Sequence, residues 1–454
     1  MGPPVDLVIP SPTLPADTDV VVIGGGIAGV STALFLAEKG IRVALCEKGE
    51  IGAEQSSRNW GWCRTQSRDP REIPLSNESL RLWRGMNQRI GGDTGWDQCG
   101  ILALCATGGE MAAAERWEEE ARLYQLDSRL ISADEIERLV PGVQGNWKGA
   151  LYSPTDGRAE PQMAAPAIAR GAQAAGALVF TNCAVRGVET AGGKVAAVMT
   201  EKGRIRCGSV VLAGGAWSSL MCDTLGIRLP QLKILGNVMR TAPLEGGPEI
   251  STKGNGFGLR KRRDGGYNIA YGQSNEVQIV PDSFRYFFDF LPQVVLEWQT
   301  MRLRLGHRFA EEIRLSRPWT MDEVSPFERV RILDPKPLVA DMNKARRNLE
   351  AVFPVFRQAK IEQMWAGLID VTPDAVPVIS PVETTPGLFL ITGFSGHGFG
   401  VGPAAGRLAA ELVTGDAPIV DPTPFAFSRF EKGRKPVLKS DLLAKKAADI
   451  TQQV

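Results

Sequence analysis

The fold is decided by residues 20–29, which read Val-Val-Val-Ile-Gly-Gly-Gly-Ile-Ala-Gly, an apolar strand that runs into three glycines and then into a helix-forming segment. In such a unit Gly24 permits the tight turn, Gly26 lets the backbone approach a pyrophosphate, and Gly29 lets the helix pack closely on the strand. The helix N-terminus favours an anion because its N–H groups are unpaired and its dipole end is positive. A second apolar strand ends at Glu47, where a carboxylate accepts from a ribose hydroxyl. The pattern therefore predicts a site for a dinucleotide, FAD or NAD.

The composition is that of an ordinary globular protein of 454 residues, long enough for two or three domains, with a formal net charge of +1. Because acidic and basic residues are interspersed, the charge pattern argues against a nucleic-acid partner. The seven cysteines are scattered and form no CxxC pair. This argues against a disulfide framework and against a metal site, and favours a reducing compartment. No signal peptide or transmembrane helix is visible, so we expect a cytoplasmic protein.

Alternating strand and helix character along the chain indicates an α/β protein. We expect the dinucleotide-binding domain to be discontinuous, with residues 1–96, 151–225 and 361–454. A second, substrate-binding domain is expected from residues 97–150 and 226–360, where strands and hairpin turns predominate. Further predicted elements are a helix at 166–175, strands at 178–181, 195–198, 267–271 and 387–393, a strand from 209 that runs into glycines at 214–215, glycine turns at 192–193 and 264–266, helices between 284 and 316, and a final helix at 403–412.

Six segments in this order resemble a known enzyme family. They are 24–29, Glu47, Gln-Ser-Ser-Arg at 55–58, Ala-Gly-Gly-Ala-Trp-Ser at 213–218, Thr-Pro-Asp at 372–374 with Pro377, and Gly-Phe-Ser-Gly-His-Gly-Phe at 393–399. The family is that of the FAD-dependent amine and amino-acid oxidoreductases typified by D-amino-acid oxidase, sarcosine oxidase and glycine oxidase. The resemblance implies a Rossmann-like FAD-binding domain and a discontinuous α+β substrate-binding domain built on a mainly antiparallel sheet.

Within that family the chain is most similar to the bacterial L-amino-acid oxidases and deaminases, through segments 52–58, 181–190 and Ser-Pro-Phe-Glu at 325–328. Two departures stand out. The membrane-bound deaminases carry an N-terminal hydrophobic anchor that is not seen here. An arginine that binds the substrate carboxylate is replaced in the strand around 271–273.

The resemblance implies the residues that hold FAD. Ser56, Ser57 and Arg58 would hold the pyrophosphate and place the flavin edge, Val185 would contact adenine through its backbone, and N–H groups of the 396–400 loop would stabilise the N1–C2=O end of reduced flavin. The full cofactor set is Gly24, Gly26, Ile27, Ala28, Gly29, Glu47, Lys48, Gln55, Ser56, Ser57, Arg58, Val185, Gly214, Gly215, Trp217, Gly396, His397, Gly398 and Phe399.

The mode of FAD attachment follows from the same resemblance. In sarcosine-oxidase-like members a cysteine seven residues before the aspartate of the Thr-Pro-Asp motif bonds the flavin, and Gly367 takes that position here. Neither His307 nor His397 lies where related enzymes carry an N-terminal histidine linkage. We therefore expect non-covalent FAD.

Oxidation of an amine by flavin transfers the α-hydrogen as hydride, so orientation matters more than a strong general base, which suits a chain with two histidines. The site needs a cation for the carboxylate, for which Arg64 and Arg68 are candidates. Trp62, Trp217 and Trp365 are expected to form an aromatic wall, and Tyr271 and Gln273 to hydrogen-bond the substrate. The candidate catalytic residues are Arg64, Arg68, Trp217, Tyr271, Gln273, Trp365 and His397.

The leading hypothesis is an L-amino-acid oxidase that converts large apolar or aromatic amino acids, water and O2 to 2-oxo acids, ammonia and H2O2. A D-amino-acid or secondary-amine oxidase or dehydrogenase of the same superfamily remains open. So does a flavin subunit that needs a partner polypeptide, suggested by the apolar patch at 284–291. A homodimer through that patch explains it equally well and is the expected assembly.

Overall fold

The structure is a computed structural model that describes residues 2–272, 276–297, 301–431 and 437–438. Its strands form two large sheets, of six and eight strands, and three smaller ones. None of the helices within these ranges combines the length and the apolar character needed to span a bilayer.

The strands follow one another along the chain as β1 (Val20–Ile23), β2 (Val43–Cys46), β3 (Trp62–Cys63), β4 (Ile101–Cys105), β5 (Arg129–Ile131), β6 (Gly149–Ser153), β7 (Gly157–Arg158), β8 (Leu178–Phe180), β9 (Val185–Ala191), β10 (Lys194–Thr200), β11 (Gly203–Arg206), β12 (Ser209–Leu212), β13 (Leu232–Thr241), β14 (Ser251–Gly254), β15 (Phe257–Lys261), β16 (Tyr267–Ala270), β17 (Glu276–Ile279), β18 (Arg302–Leu305), β19 (Ile361–Val371), β20 (Val378–Pro381) and β21 (Leu388–Thr392).

The α-helices are α1 (Ile27–Glu38), α2 (Gln55–Arg58), α3 (Ile73–Ile90), α4 (Gly108–Leu123), α5 (Ala133–Leu139), α6 (Pro161–Ala174), α7 (Ser218–Thr224), α8 (Pro281–Arg285), α9 (Phe287–Glu297), α10 (His307–Leu315), α11 (Pro326–Arg329), α12 (Val339–Val352) and α13 (Gly398–Thr414).

The six-stranded sheet has the order β20-β21-β12-β1-β2-β8, with all neighbours parallel except β20 and β21. Val20 and Val22 of β1 face the helices α1, α6 and α13, whereas Val21 and Ile23 belong to a core shared with the three-stranded sheet β9 to β11. Burial on both faces explains why β1 is an unbroken apolar run instead of an alternating one. The doubly covered parallel sheet confirms the predicted α/β FAD-binding fold.

The eight-stranded sheet has the order β19-β13-β16-β15-β14-β4-β6-β5 and is antiparallel except where β14 pairs with β4. Helix α12 packs its buried face on this sheet. Strand β19 pairs with β13 from Ile361 to Val371 and so belongs to this sheet by its hydrogen bonds, although the sequence assigned residues 361–371 to the other domain. The mainly antiparallel second sheet is as predicted.

The last helix begins earlier than the sequence indicated. The sequence predicts its start at Pro403, but α13 begins at Gly398 and contains Pro403. Near the proline, the carbonyl of Gly400 accepts two hydrogen bonds from α3. The donors are the hydroxyl of Ser79 and the indole N–H of Trp83, at 2.7 and 2.9 Å. The first turn of α13 therefore consists of the glycine-rich loop itself. Helix α6 likewise begins before the predicted residue 166, at Pro161.

Candidate active site

A cavity of about 830 Å³, its open mouth included, lies at the carboxyl ends of β1, β2 and β12. This is the edge at which open parallel sheets bind nucleotides. More than half of the predicted cofactor residues line it: Gly24, Gly26, Glu47, Lys48, Gln55, Ser56, Val185, Gly214, Gly215 and Trp217.

The three motif glycines have separate structural roles. Gly24 has φ +109°, in the region that favours glycine, and a Cβ there would overlap the carbonyl oxygen of Ala213. A Cβ on Gly29 would overlap the carbonyl oxygen of Gly24, so α1 packs on the turn only because this position is glycine. At Gly26 a Cβ would meet only the hydroxyl of Ser56, at 3.2 Å, on the cavity wall. Two glycines thus serve the fold, and Gly26 keeps the cavity open.

Glu47 is fixed at the rim of this cavity. Its two carboxylate oxygens accept hydrogen bonds from the backbone N–H groups of Gly25 and Gly49, both at 2.7 Å. Burial raises the pKa of Glu47 above its ordinary value, while the charge of Lys48 and the two N–H groups oppose that rise. The carboxylate is therefore preorganised, and its remaining lone pairs are available to accept from a ribose hydroxyl.

A second cavity of about 570 Å³ continues the first. The two share Gly26, Gln55, Ser56, Ala213 and Gly215, so they form one elongated groove that passes the N-terminus of α1. We call the first cavity the nucleotide end of the groove and the second cavity the flavin end. The predicted residues at the far end are Ile27, Ala28, Gly396, Gly398 and Phe399. An extended groove with a narrow glycine-lined waist fits a dinucleotide with its pyrophosphate at the helix N-terminus.

Gly29, Ser57, Arg58 and His397 line neither cavity. The Ser57 hydroxyl donates to the carbonyl of Glu54, and the Arg58 guanidinium donates to the carbonyls of Ala53 and Ala366 at 3.1 and 2.8 Å. The predicted pyrophosphate contacts of Ser57 and Arg58 are therefore corrected. Both side chains bond to protein carbonyls, and the bond from Arg58 to Ala366 links α2 to β19.

Of the predicted pyrophosphate contacts, Ser56 is the one whose side chain lines the groove. Its hydroxyl oxygen accepts the backbone N–H of Ile27 at 2.9 Å. This bond fixes the hydroxyl beside the start of α1, where an anion is favoured.

His397 precedes α13 and points away from the groove. Its Nδ1 lies 3.1 Å from a carboxylate oxygen of Glu72, which is fully buried. Burial, followed by the charge of Arg68, lowers the pKa of His397, so the imidazole is neutral at pH 7. The backbone of this loop, at Gly396 and Gly398, faces the groove, but the histidine side chain does not.

A third and larger cavity, about 1100 Å³ with its mouth, lies on the other side of residues 59–62. Asn59 lines the groove, whereas Trp60 and Trp62 line this cavity and pack edge to face with ring centroids 5.1 Å apart. Its other walls include Leu104, Trp117, Leu151 and Phe257, with Arg64, Ser67, Glu110, Lys253 and Asn255 supplying polar groups. A mostly apolar chamber with a few polar groups, next to a cofactor groove, is suited to a small substrate.

Arg64 and Arg68, the two predicted cations, differ in access. Arg64 lines the large cavity and donates to the backbone carbonyl of Gln66. Arg68 is 2% exposed, lines none of these three cavities, and donates to the backbone carbonyl of Arg64 at 3.3 Å. Burial and then the charge of Arg68 lower the pKa of Arg64 to about 9. Arg64 is thus positioned to contact a ligand, and Arg68 lies behind it.

The three predicted wall tryptophans lie in three different environments. Trp62 lines the large cavity, Trp217 lines the nucleotide end of the groove with its indole N–H donating to Glu54, and Trp365 is buried between the sheets, donating to the carbonyl of Arg58. They do not form one wall, because Trp62 begins β3, Trp217 lies in the turn after β12, and Trp365 lies within β19. The aromatic wall of the large cavity consists instead of Trp60, Trp62, Trp117 and Phe257.

The predicted substrate strand contributes less than expected. Tyr271 packs against the core of the eight-stranded sheet with the Lys344 ammonium 5.2 Å from its ring centroid, and it does not line the large cavity, although Gly272 does. Gln273 lies outside the described residues.

Sequence reasoning missed Arg331, Phe327 and Asp370. Arg331 and Phe327 line the nucleotide end of the groove. Asp370 lines the far end, is 7% exposed, and accepts the backbone N–H of Gly393 at 2.6 Å. The resemblance points to segment 325–328, but no local pattern in the sequence places it beside the glycine turn.

The groove fits FAD. It is long and is narrowed by the glycines and Ser56. The buried side-chain amide oxygen of Gln55, which lines both cavities, has no hydrogen-bond partner among the described residues. Within the described part of the chain no group of three or more His, Cys, Asp or Glu side chains is placed to hold a metal ion.

Comparisons with known proteins agree with this geometry. Over 425 residues the chain is 26% identical to the sarcosine oxidase subunit beta of Arthrobacter sp, covering 91% of each. Over 421 residues it is 28% identical to the glycine oxidase of Pseudomonas aeruginosa, covering 90% of this chain and 98% of that protein. The solved structure of L-amino acid deaminase from Proteus myxofaciens, in complex with anthranilate, superposes with a TM-score of 0.91 at 35% identity, covering 95% of this chain and 97% of that one.

The profile of the DAO family, described as FAD dependent oxidoreductase, matches residues 19–412. This range takes in both ends of the groove and the large cavity. The chain belongs to the DAO family of FAD-dependent oxidoreductases, which act on amino acids or amines.

Proposed function

We propose that this chain oxidises L-amino acids with large apolar or aromatic side chains to 2-oxo acids. The observation that carries the proposal is Arg64, a desolvated cation in the wall of the aromatic-lined cavity beside the FAD groove. A guanidinium in such surroundings gains strongly from a carboxylate, since the pair of charge-assisted hydrogen bonds replaces water that burial has removed. An amino acid supplies that carboxylate, and a simple amine does not.

The apolar part of the cavity supports large side chains. Trp60, Trp62, Trp117 and Phe257 offer ring faces and edges, and the chamber holds about 1100 Å³ with its mouth. Burying an aromatic side chain against such rings gains about 0.5–1.5 kcal/mol beyond the area effect. A substrate as small as glycine would leave most of these rings in water.

In this proposal FAD, when bound, supplies the two-electron acceptor for the hydride that leaves the α-carbon. The overall reaction takes an L-amino acid, water and O2 to a 2-oxo acid, ammonia and H2O2. Arg64 fixes the carboxylate, and the aromatic rings exclude water from the α-carbon. Asn59 and Trp60 stand between the groove and the cavity, so they set how far the substrate lies from the cofactor.

The Proteus myxofaciens likeness supports the L-amino-acid reading, because the 35% identity extends over 95% of this chain. Residues 271–273 carry no arginine, so the cation that we propose as the carboxylate anchor is Arg64 in the wall of the large cavity. The anchor would then come from the β3 side of the cavity.

Oxidation of a secondary amine such as N-methylglycine is the second candidate, favoured by the likeness to sarcosine oxidase subunit beta. That relative is named as a subunit, which supports the further possibility of a partner polypeptide. In both candidate functions FAD binds in the groove and Arg64 has the same role. The two differ in which part of the substrate occupies the large cavity.

We further propose a cytoplasmic homodimer. All seven cysteines fall within the described residues and are unpaired thiols, as expected in a reducing compartment. Phe284 and Phe288 are 67% and 84% exposed on α8 and α9, which supports burial of this face against a second copy.

The experiment is anaerobic mixing of the FAD-loaded protein with L-phenylalanine, D-phenylalanine or N-methylglycine, followed by the visible band of oxidised flavin. Bleaching by L-phenylalanine alone, reversed by air, is the expected result. Bleaching by D-phenylalanine or N-methylglycine alone contradicts the proposal and supports the second candidate. If none bleaches the flavin, the proposal for the isolated chain is wrong.

A further inference from the structure

The segment 325–334, here called the strap, forms one wall of the nucleotide end of the groove. It comprises α11 and the irregular chain that follows it. Phe327 and Arg331 line the cavity opposite the strand ends of the six-stranded sheet. The strap comes from a region of the chain more than 270 residues after Glu54, so its contacts with the groove are entirely long-range.

Lys48 and Glu54, on the groove rim, attach the strap through its backbone. The Lys48 ammonium donates to the carbonyls of Val330 and Arg331, at 3.0 and 2.7 Å, and Glu54 accepts the backbone N–H of Leu333 at 3.0 Å. The same Glu54 carboxylate accepts from Lys48 and from the indole of Trp217. One polar cluster therefore joins the cofactor rim to the strap.

Three ion pairs attach the strap through its side chains. Arg331 pairs with Glu201, with its second guanidinium nitrogen 2.6 Å from the carboxylate, and also donates to the carbonyl of Lys48 at 2.8 Å. Glu328 accepts from Arg186 at 2.8 Å, and Asp334 accepts from Arg58 at 2.8 Å. Glu201 and Asp334 lie outside the cavity lining, so these attachments do not depend on contact with a ligand.

The strap is held mainly by polar contacts. Phe327 packs edge to face with Trp217 and Trp319, and Val330 and Leu333 pack partly buried against the neighbouring core. The other attachments described above are hydrogen bonds and ion pairs, several of them partly open to water. Such contacts break at a much lower free-energy cost than a packed core. The neighbouring wall is the parallel sheet, whose strands are fully buried and do not separate without unfolding.

We propose that the strap is the gate through which FAD enters and leaves the groove, and that Arg331–Glu201 and Arg58–Asp334 are the latches that keep it shut. A gate of this kind sets both the binding and the release rate of FAD, because each passage requires the latches to open. A segment that only touches the cofactor would affect release alone. The proposal rests on FAD binding and is independent of which amino acid or amine is oxidised.

The test measures FAD release from the holoprotein, as the fluorescence of freed FAD, and FAD binding to the apoprotein, as fluorescence quenching. The variants are Glu201→Gln and Asp334→Asn, which each weaken one latch outside the cavity. The matched control is Glu189→Gln, which breaks the Arg204–Glu189 ion pair on the same three-stranded sheet, away from the strap.

Both latch variants are expected to raise both rates by about tenfold, the cost of a lost charge-assisted hydrogen bond, while the FAD dissociation constant changes by less than about threefold. The control keeps both wild-type rates. Unchanged rates in the latch variants overturn the proposal. So does faster release with an unchanged binding rate, since that identifies the strap as a contact and not a gate. Asp334 is exposed, so its variant remains informative if Glu201→Gln folds poorly.

Discussion

The Nδ1 atom of His397 lies 3.1 Å from the Glu72 carboxylate, which ties the loop at the flavin end of the groove to the N-terminus of α3. Glu72 is fully buried, and its other oxygen has no hydrogen-bond partner in the part of the chain that the structure describes. A buried carboxylate is costly unless it is compensated, and the charges of Arg64 and Arg68 act on this site as well. A neutral imidazole that donates from Nδ1 to Glu72 satisfies the carboxylate without a further buried cation.

This arrangement predicts a specific pH dependence of stability. Because burial lowers the pKa of His397 in the folded state, the unfolded chain binds more protons as the pH falls below the unfolded value of about 6.5. The contribution of neutral His397 to the free energy of unfolding is therefore complete above that pH, and it is lost as the pH falls toward 5. His397→Gln, which keeps a donor for Glu72, is expected to lose less stability than the wild type between pH 7 and 5.

Urea unfolding at several pH values measures this difference. His307→Gln is the matched control, because it removes the exposed histidine on α10 and leaves the pair with Glu72 intact. Equal pH slopes for wild type and His397→Gln would show that the histidine is not held neutral by its surroundings.

Two glycines of the turn should respond differently to the same added methyl group. A Cβ on Gly29 overlaps the Gly24 carbonyl, so Gly29→Ala is expected to lose about 1–3 kcal/mol of unfolding free energy, as overpacked sites do. At Gly26 the methyl would meet only the Ser56 hydroxyl, but it would stand in the groove. Gly26→Ala should keep the wild-type melting temperature as apoprotein and weaken FAD binding by about tenfold or more.

Melting of the apoproteins and FAD titration separate these two effects. If Gly29→Ala is as stable as the wild type, close packing of α1 on the turn is not what requires this glycine. If Gly26→Ala binds FAD normally, the cofactor does not approach the backbone at that residue.

FAD should be released intact when the protein is denatured. Gly367 offers no side chain to bond the flavin, and a Cβ there would overlap the side-chain oxygen of Gln55 unless that side chain shifted. No cysteine lines the flavin end of the groove in the described part of the chain, and the His397 side chain faces Glu72. Acid precipitation should leave all flavin in the supernatant, and Gly367→Ala should do the same. Yellow, fluorescent protein on a denaturing gel would contradict this prediction.

The cofactor half of the site could be predicted from sequence because its signals are local. The turn Gly24 to Gly29, the acid Glu47 and the loop at 396–399 each combine a backbone requirement with a fixed position at a strand or helix end. Such requirements appear as residue types at short spacings, which a single sequence displays.

The substrate half could not be predicted as well, because its walls come from separate parts of the chain. Sequence reasoning placed Trp62, Trp217 and Trp365 on one wall, but Trp62 and Trp217 line different cavities and Trp365 is buried within β19. Trp117 reaches the cavity from α4, and Phe257 from β15. Which face of a strand or helix meets a cavity depends on packing between sheets, and no spacing along the sequence encodes it.

Arg64 is expected to determine affinity for the substrate carboxylate. Arg64→Gln should raise KM for L-phenylalanine by about ten- to a hundredfold, because one or two charge-assisted hydrogen bonds are lost, while FAD affinity is unchanged. Arg64→Lys keeps the charge but loses the paired N–H donors of the guanidinium. Its KM should therefore lie between those of the wild type and Arg64→Gln. Benzoate, which has the carboxylate without the amine, should bind the wild type and perturb the flavin spectrum. Its affinity should fall as the pH rises above about 9, where Arg64 loses its charge in the free protein.

Arg68→Gln distinguishes this role from a structural one. Arg68 lies behind Arg64 and raises the cost of its charge, so its replacement should raise the pKa of Arg64 and shift the loss of benzoate affinity to higher pH. If Arg68→Gln fails to fold, it will not retain FAD, and the role of Arg64 is then judged from Arg64→Lys. If Arg64→Gln binds benzoate as tightly as the wild type, the carboxylate anchor lies elsewhere in the cavity, and Lys253 is the next cation on its wall.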